Sequence, residues 1–163
     1  MIVQGIDETT GQKTMAPANG SILSRLTGSD VTTTGQSLAT ITGLSQALAA
    51  NAVYEFETVL FCAVTAVTTG NKYGVNFDQS GSTIIAGLQG ALTTAADKSE
   101  LITALNTASG AYLTTSAQTG KVSIRGIITT GANAGNLIIQ HLKVTSGTST
   151  VKIGSFLKTT RIA

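Results

Sequence analysis

His141 and Cys62 are the sequence's single imidazole and single thiol, the two side chains best suited to act near neutral pH. A hydrolytic site built on His141 needs a nucleophile in a turn motif and an acid that orients the ring. No Ser or Cys stands in such a motif, and no acid is spaced to serve. His141 follows Gln140 in the middle of a strand pattern and reads as a half-exposed strand residue. Cys62 lies in Leu60-Phe61-Cys62-Ala63-Val64 and reads as a small core hydrophobe. One His and one Cys do not fill a tetrahedral metal site. The acids Asp7, Glu8, Asp30, Glu55, Glu57, Asp78, Asp97 and Glu100 follow no calcium-loop spacing. Glu55 and Glu57 share one strand face, as a catalytic carboxylate pair could, and an exposed face accounts for them as well. Gly131-Ala132-Asn133-Ala134-Gly135 lacks the lysine and following helix of a phosphate cradle. The expectation is a protein that is not an enzyme and has no cofactor and no metal.

Charge excludes further classes. The ten basic residues are scattered singly among eight acidic ones, for a net charge of +2, without the stripe that nucleic-acid binding requires. No apolar run approaches the roughly 20 residues of a membrane span, and the N-terminus has no basic start followed by an apolar stretch. A soluble protein made in the cytosol is expected, with neither nucleic acid nor membrane as partner.

What must position any functional side chain is a set of strands. Charged residues make up 11% of the 163 residues, against about 25% in ordinary domains, and Thr, Ser and 18 Gly fill the gap. Thr suits a pleated surface, and Ser and Gly supply turns. Alternation marks strands over 38–44, 53–67, 72–77, 83–88, 121–128, 136–145, 150–153 and 156–162, most of them near enough in sequence to pair antiparallel with the next. In the longest, Tyr54, Phe56 and Thr58 share one face, opposite Glu55, Glu57 and Val59. Residues 95–108 break the pattern: Asp97 followed by Glu100 resembles a helix N-cap, and Leu101, Ala104, Leu105 and Ala108 fall at helical spacing. A short helix or an irregular loop is expected there.

Residues 1–29 read as an extended arm and 30–163 as one β-sandwich domain. Met1 to Gly20 carries Gly5, Gly11, Pro17, Asn19 and Gly20 and few apolar residues after Ile6. Ile22-Leu23-Ser24-Arg25-Leu26 is a short apolar patch, either a segment that docks on a neighbouring subunit or a cover strand on the chain's own domain. Ile2, Val3, Ile6, Ile22, Leu23 and Leu26 are the candidate contact residues.

The C-terminal third carries a resemblance. Val122-Ser123-Ile124-Arg125-Gly126-Ile127-Ile128, Ala134 to Gln140, Thr148-Ser149-Thr150-Val151 and Gly154 to Ile162 follow one another like the closing strands of the jelly-roll virion proteins of tailed bacteriophages. Leu48 to Glu57 resembles their opening strand. The resemblance implies an all-β, single antiparallel β-sandwich, jelly-roll-like, with the N-terminal arm extended. It further implies a capsid decoration (cement) protein that binds the outer shell as a homotrimer. Its partners are then copies of itself and the major capsid protein, its place the virion, and its site of synthesis the host cytoplasm. A tail-associated or receptor-binding module is the alternative. Since apolar residues fill a small sandwich's core, its Thr/Ser faces and a few apolar side chains are expected to carry the subunit contact.

Overall fold

The computed structural model describes residues 20–65, 70–91, 98–112 and 118–163, together with the pairs 5–6 and 13–14. Every regular element among them is a strand. β1 (Gly5–Ile6) and β2 (Lys13–Thr14) form a small pair of their own. The others are β3 (Ser21–Arg25), β4 (Val31–Thr33), β5 (Ala39–Leu48), β6 (Val53–Val64), β7 (Asn71–Phe77), β8 (Thr83–Ala91), β9 (Lys98–Ile102), β10 (Gln118–Thr129), β11 (Gly135–Lys143), β12 (Ser149–Val151) and β13 (Phe156–Arg161). An eight-stranded sheet runs β3–β13–β6–β10–β8–β9, with β12 beside β6 and β4 beside β12; a three-stranded sheet runs β5–β11–β7.

The period-2 pattern places the core between the sheets. From the large sheet come Phe56, Leu60 and Cys62 of β6 and Val122, Ile124 and Ile128 of β10, all buried. Tyr73 and Val75 of β7 and Leu137, Ile139 and His141 of β11 meet them from the small sheet. In β5 the alternation slips. Ile41 and Leu44 are both buried, which strict alternation forbids, and Gly43 at φ +94° lies between them, opposite a register shift in β11.

Pairing of successive strands, expected from their short spacing, is the exception. The chain crosses between the sheets at β4–β5, β5–β6, β6–β7, β7–β8, β10–β11 and β11–β12, because a strand buries its apolar face only against the opposite layer. The orders β3–β13–β6–β10 and β5–β11–β7 interleave as in a jelly roll. The strand that would complete the small sheet, β8, instead joins β10 in the large one. The segment after β9 closes the edge of β7 in its place: Asn106 N donates to Val75 O, Ser109 N to Tyr73 O, and Tyr112 bridges to Asn71. The fragment Leu48 to Glu57 is likewise two strands, parted by a turn with Asn51 at φ +49°.

Residues 98–102 form strand β9 rather than a helix. Asp97, the expected cap, lies outside the described residues, and residues 103–111 are irregular. The free edge of β8 offers Ser99–Ile102 a ladder, and Lys98, Glu100 and Ile102 then turn inward together, a period of two that overrides the helical spacing of Leu101 and Ala104.

Nor does the sheet break at residue 30. β3 is in register with β13 from Ser21 to Arg25, and Leu26 exchanges backbone hydrogen bonds with Gly154 and Ser155. β12 and β13 form one line along β6, interrupted at Lys152–Ser155, where Gly154 takes φ +93° and the Ser155 hydroxyl accepts from Phe61 N. β3 and β4 break at the same level, where Asp30 accepts from Ile153 N and pairs with Lys152 at 3.7 Å.

Gly126 of β10 lies opposite Ala86 of β8. A Cβ there would fall inside van der Waals contact of the Ile85 carbonyl oxygen and of Ala86. Gly126→Ala is expected to cost about 1–3 kcal/mol by overpacking. Urea unfolding followed by circular dichroism should show a lower midpoint with an unchanged β spectrum.

Candidate functional site: the outer face of the large sheet

Cross-strand register arranges the solvent side of the large sheet in rows. One row reads Leu101, Gly87, Arg125, Glu57, Lys158 and Leu23, crossing six strands from β9 to β3. The row beside it reads Ile85, Ile127, Glu55, Thr160 and Ser21. At the centre the charges alternate in sign. Two guanidinium nitrogens of Arg125 donate to Oε1 of Glu55, at 2.7 and 3.2 Å, and both groups are open to solvent. Such an exposed pair contributes little stability, on the order of 0–1 kcal/mol.

Toward β9 the face becomes aliphatic. Gly87 leaves a notch in the sheet surface, and a shallow groove of about 420 Å³ runs there past Ile85, Ile127 and Arg125. Ile85 is 67% exposed, Leu101 72% and Ile127 46%. Ile85 and Ile127 are direct cross-strand partners, and Leu101 is the partner of Gly87. The outer side of the small sheet differs: Thr40, Thr42, Ser45, Ala47 and Asn136 are its exposed residues. Sequence reasoning missed the aliphatic cluster because Ile85, Leu101 and Ile127 lie far apart in the chain. The visible signal was the apolar residue on both faces of 83–88 and 121–128.

The expected contact residues separate. Ile22 and Leu23 are exposed on β3, at the far end of the same sheet. Leu26 is a correction: it is buried in the chain's own core and so offers no contact surface. Ile6 pairs with Lys13 across β1–β2, and Ile2 and Val3 lie outside the described residues.

His141 is fully buried, which corrects the half-exposed reading. Gln140 and Leu142 on its other side are buried too, and Leu38 and the Thr107 carbonyl lie close over the neighbouring Gly74 of β7. His141 Nδ1 is 3.1 Å from Ser149 Oγ, while Nε2 has no partner among the described residues. Burial pushes the imidazole down to about 4, so the ring is neutral at pH 7. Burial pushes the Cys62 thiol up to about 12, only partly opposed by the Tyr73 hydroxyl beside it. Asn71 Nδ2 donates to that hydroxyl at 3.0 Å. A thiol held protonated is a poor nucleophile. Among the described residues no three of His, Cys, Asp and Glu converge as a metal site.

Two predictions come from this buried layer. The imidazole ionises near 6.5 when unfolded and near 4 when folded, so between these values the unfolded chain binds the extra proton. Stability is therefore complete above pH 6.5 and falls as the pH drops toward 4, by about 3 kcal/mol in all. Denaturant titrations at pH 7.5 and 5 should show about 2 kcal/mol of this loss in the wild type and a clearly smaller one in His141→Gln. Cys62→Ser is expected to cost about 1–3 kcal/mol at any pH, because a hydroxyl, costlier to desolvate than a thiol, replaces it in a fully buried position; thermal melts would measure it.

No protein-family model matches the chain, and no curated protein matches it. Solved structures of similar shape include the Eiger TNF of S. frugiperda, at 9% identity and a TM-score of 0.45 over 88% of this chain and 93% of that one. The VP2 subviral particle of infectious bursal disease virus is similar at 9% identity and a TM-score of 0.24, over 99% of this chain. The CBM22-1–GH10 modules of Clostridium thermocellum xylanase 10B are similar at 10% identity and a TM-score of 0.30, over 86% of this chain. The chain spans 45% of the VP2 chain and 26% of the xylanase chain. At 9–10% identity none of these likenesses extends to function.

Proposed function

We propose that this chain is a non-catalytic structural protein of a virus particle, a capsid decoration protein of the tailed-phage kind that binds the outer shell as a homotrimer and stabilises it. The observation that carries this reading is the aliphatic cluster of Ile85, Leu101 and Ile127, open to solvent on a rigid sheet. Exposed apolar clusters on a stable scaffold mark surfaces meant to be covered by another macromolecule. The buried, neutral His141 and the protonated Cys62 support a role without chemistry, since neither reaches a substrate. The low charge supports it too, because crowded neighbours then repel one another little.

In this reading the N-terminal arm grips the capsid protein. Met1 to Gly20 has too few apolar residues to form a core of its own, so a partner surface must offset the cost of ordering it. Ile2, Val3 and Ile6 are its anchors, each worth roughly 1.5–3 kcal/mol when fully buried. Three arms on one trimer multiply modest anchors through effective concentration.

Sedimentation of the purified protein with expanded, empty capsids tests the proposal. The full chain should co-sediment, and a chain lacking residues 1–20 should fold normally but bind far more weakly. Full occupancy by the truncated chain would remove the arm from the mechanism. Absence of binding by the full chain, or only a handful of copies per particle by mass spectrometry, would point to the tail instead.

A further inference from the structure

We propose that the outer face of the large sheet, centred on the notch at Gly87, is the surface on which a second copy of this chain packs. This rests on the assembly reading above and adds the surface and its occupant. The outer side of the small sheet, with Thr40, Thr42 and Ser45 exposed, is then left free.

Charge selects the occupant. Glu55, Glu57, Arg125 and Lys158 stand together at the centre of the face and sum to zero, with signs alternating from β10 to β6 to β13. A strongly acidic or basic partner gains nothing from such a pattern. Another copy of this chain, whose own net charge is only +2, meets such a face without net repulsion. The area is also sufficient. Six strands about 4.8 Å apart, each presenting about 17 Å of length, cover about 500 Å² per copy and about 1,000 Å² in the pair. That is the lower bound of a specific interface. The aliphatic end supplies an anchor, since Ile85, Ile127 and Leu101 surround a notch that has no side chain of its own. The ground is set before contact, because β8 is paired with β10 over nine residues, with no side chain at Gly126 to hold the strands apart beside Ile85. Little ordering remains to oppose association.

Light scattering on the full-length chain tests this, with Ile85→Lys and Leu101→Lys on the face and Thr40→Lys on the small sheet as a control. Wild type and Thr40→Lys should return a multiple of 16.5 kDa at micromolar concentration. The two face variants should return 16.5 kDa itself, with an unchanged β spectrum and melting temperature. Face variants that keep the multimeric mass would overturn the surface while leaving self-assembly standing. A monomeric wild type would overturn the second copy as occupant. If in that case Ile85→Lys abolishes sedimentation with capsids, the occupant is the shell, and the particle reading survives. If Ile85→Lys instead lowers the melting temperature as much as removal of residues 1–20 does, the chain's own arm covers the face and this inference fails.

Discussion

The β6–β10 ladder bears the rest of the fold. Twelve consecutive residues of each strand are in register, from Val53 opposite Thr129 to Val64 opposite Gln118. One side of this ribbon supplies Phe56, Leu60, Cys62, Val122, Ile124 and Ile128 to the core; the other carries Glu55, Glu57, Arg125 and Ile127 on the surface. Because the side-chain period is two, a slip of one residue would exchange these sets and put both glutamates into the interior. The apolar alternation therefore fixes the register, and the register fixes which charges stand beside which. β13 and β12 add to the free side of β6, and β8 to the free side of β10, so the surface rows inherit their order from this single pairing.

Placing β8 on β10 has consequences in both layers. The large sheet gains width and an edge hairpin with β9, and Ile85 and Leu101 come onto its outer side. The small sheet is left with three strands and an open edge on β7, which the 106–112 segment closes with backbone hydrogen bonds instead of a ladder. Tyr112, at the end of that segment, is fully buried: its ring lies against Gly90, where a Cβ would overlap it, and the Lys98 ammonium is 4.7 Å from the ring centroid. Gln46 joins the layers at the other side of the sandwich. Its amide nitrogen on β5 donates to Ile22 O on β3 and Leu157 O on β13, and Thr159 donates to its side-chain oxygen. Removing such a buried group would take a partner from two carbonyls and a hydroxyl at once.

The strands were legible in the sequence because a half-buried strand writes its period directly. Tyr54, Phe56 and Thr58 opposite Glu55 and Glu57, and Tyr73, Val75 and Phe77 together, are found as read. The pairing was not legible: nothing local in Val122 or Phe156 says that each lies beside β6. The 98–108 segment misled because Leu101, Ala104, Leu105 and Ala108 fit a helical face, while the competing signal, the alternation of Lys98, Glu100 and Ile102, acts only when the β8 edge is present. His141 misled for the opposite reason. A strand covered on both sides shows no alternation, and Gln140-His141-Leu142 hides its burial behind polar letters.

The candidate site repeats that contrast between period and pairing. Arg125 beside Glu57 and Glu55, with Ile127 next along β10, exists only after strands distant in sequence are laid together in register. Such a face is costly to leave in water and simple to cover, since its backbone is already hydrogen-bonded and its side chains stand on a sheet that does not rearrange. The His141–Ser149 contact and the Asn71–Tyr73–Cys62 group sit instead where partners are hard to satisfy, and Asn71 Oδ1, Tyr112 Oη, Gln140 Oε1 and His141 Nε2 have none among the described residues. Unsatisfied polar atoms lower stability, whereas the satisfied ones, such as those of the Gln46 side chain, restrict the ways in which the sheets can be superposed, because a misalignment would strand them. The satisfied partners of the interior thus fix the alignment of the layers, and that alignment sets which side chains stand together on the outer face.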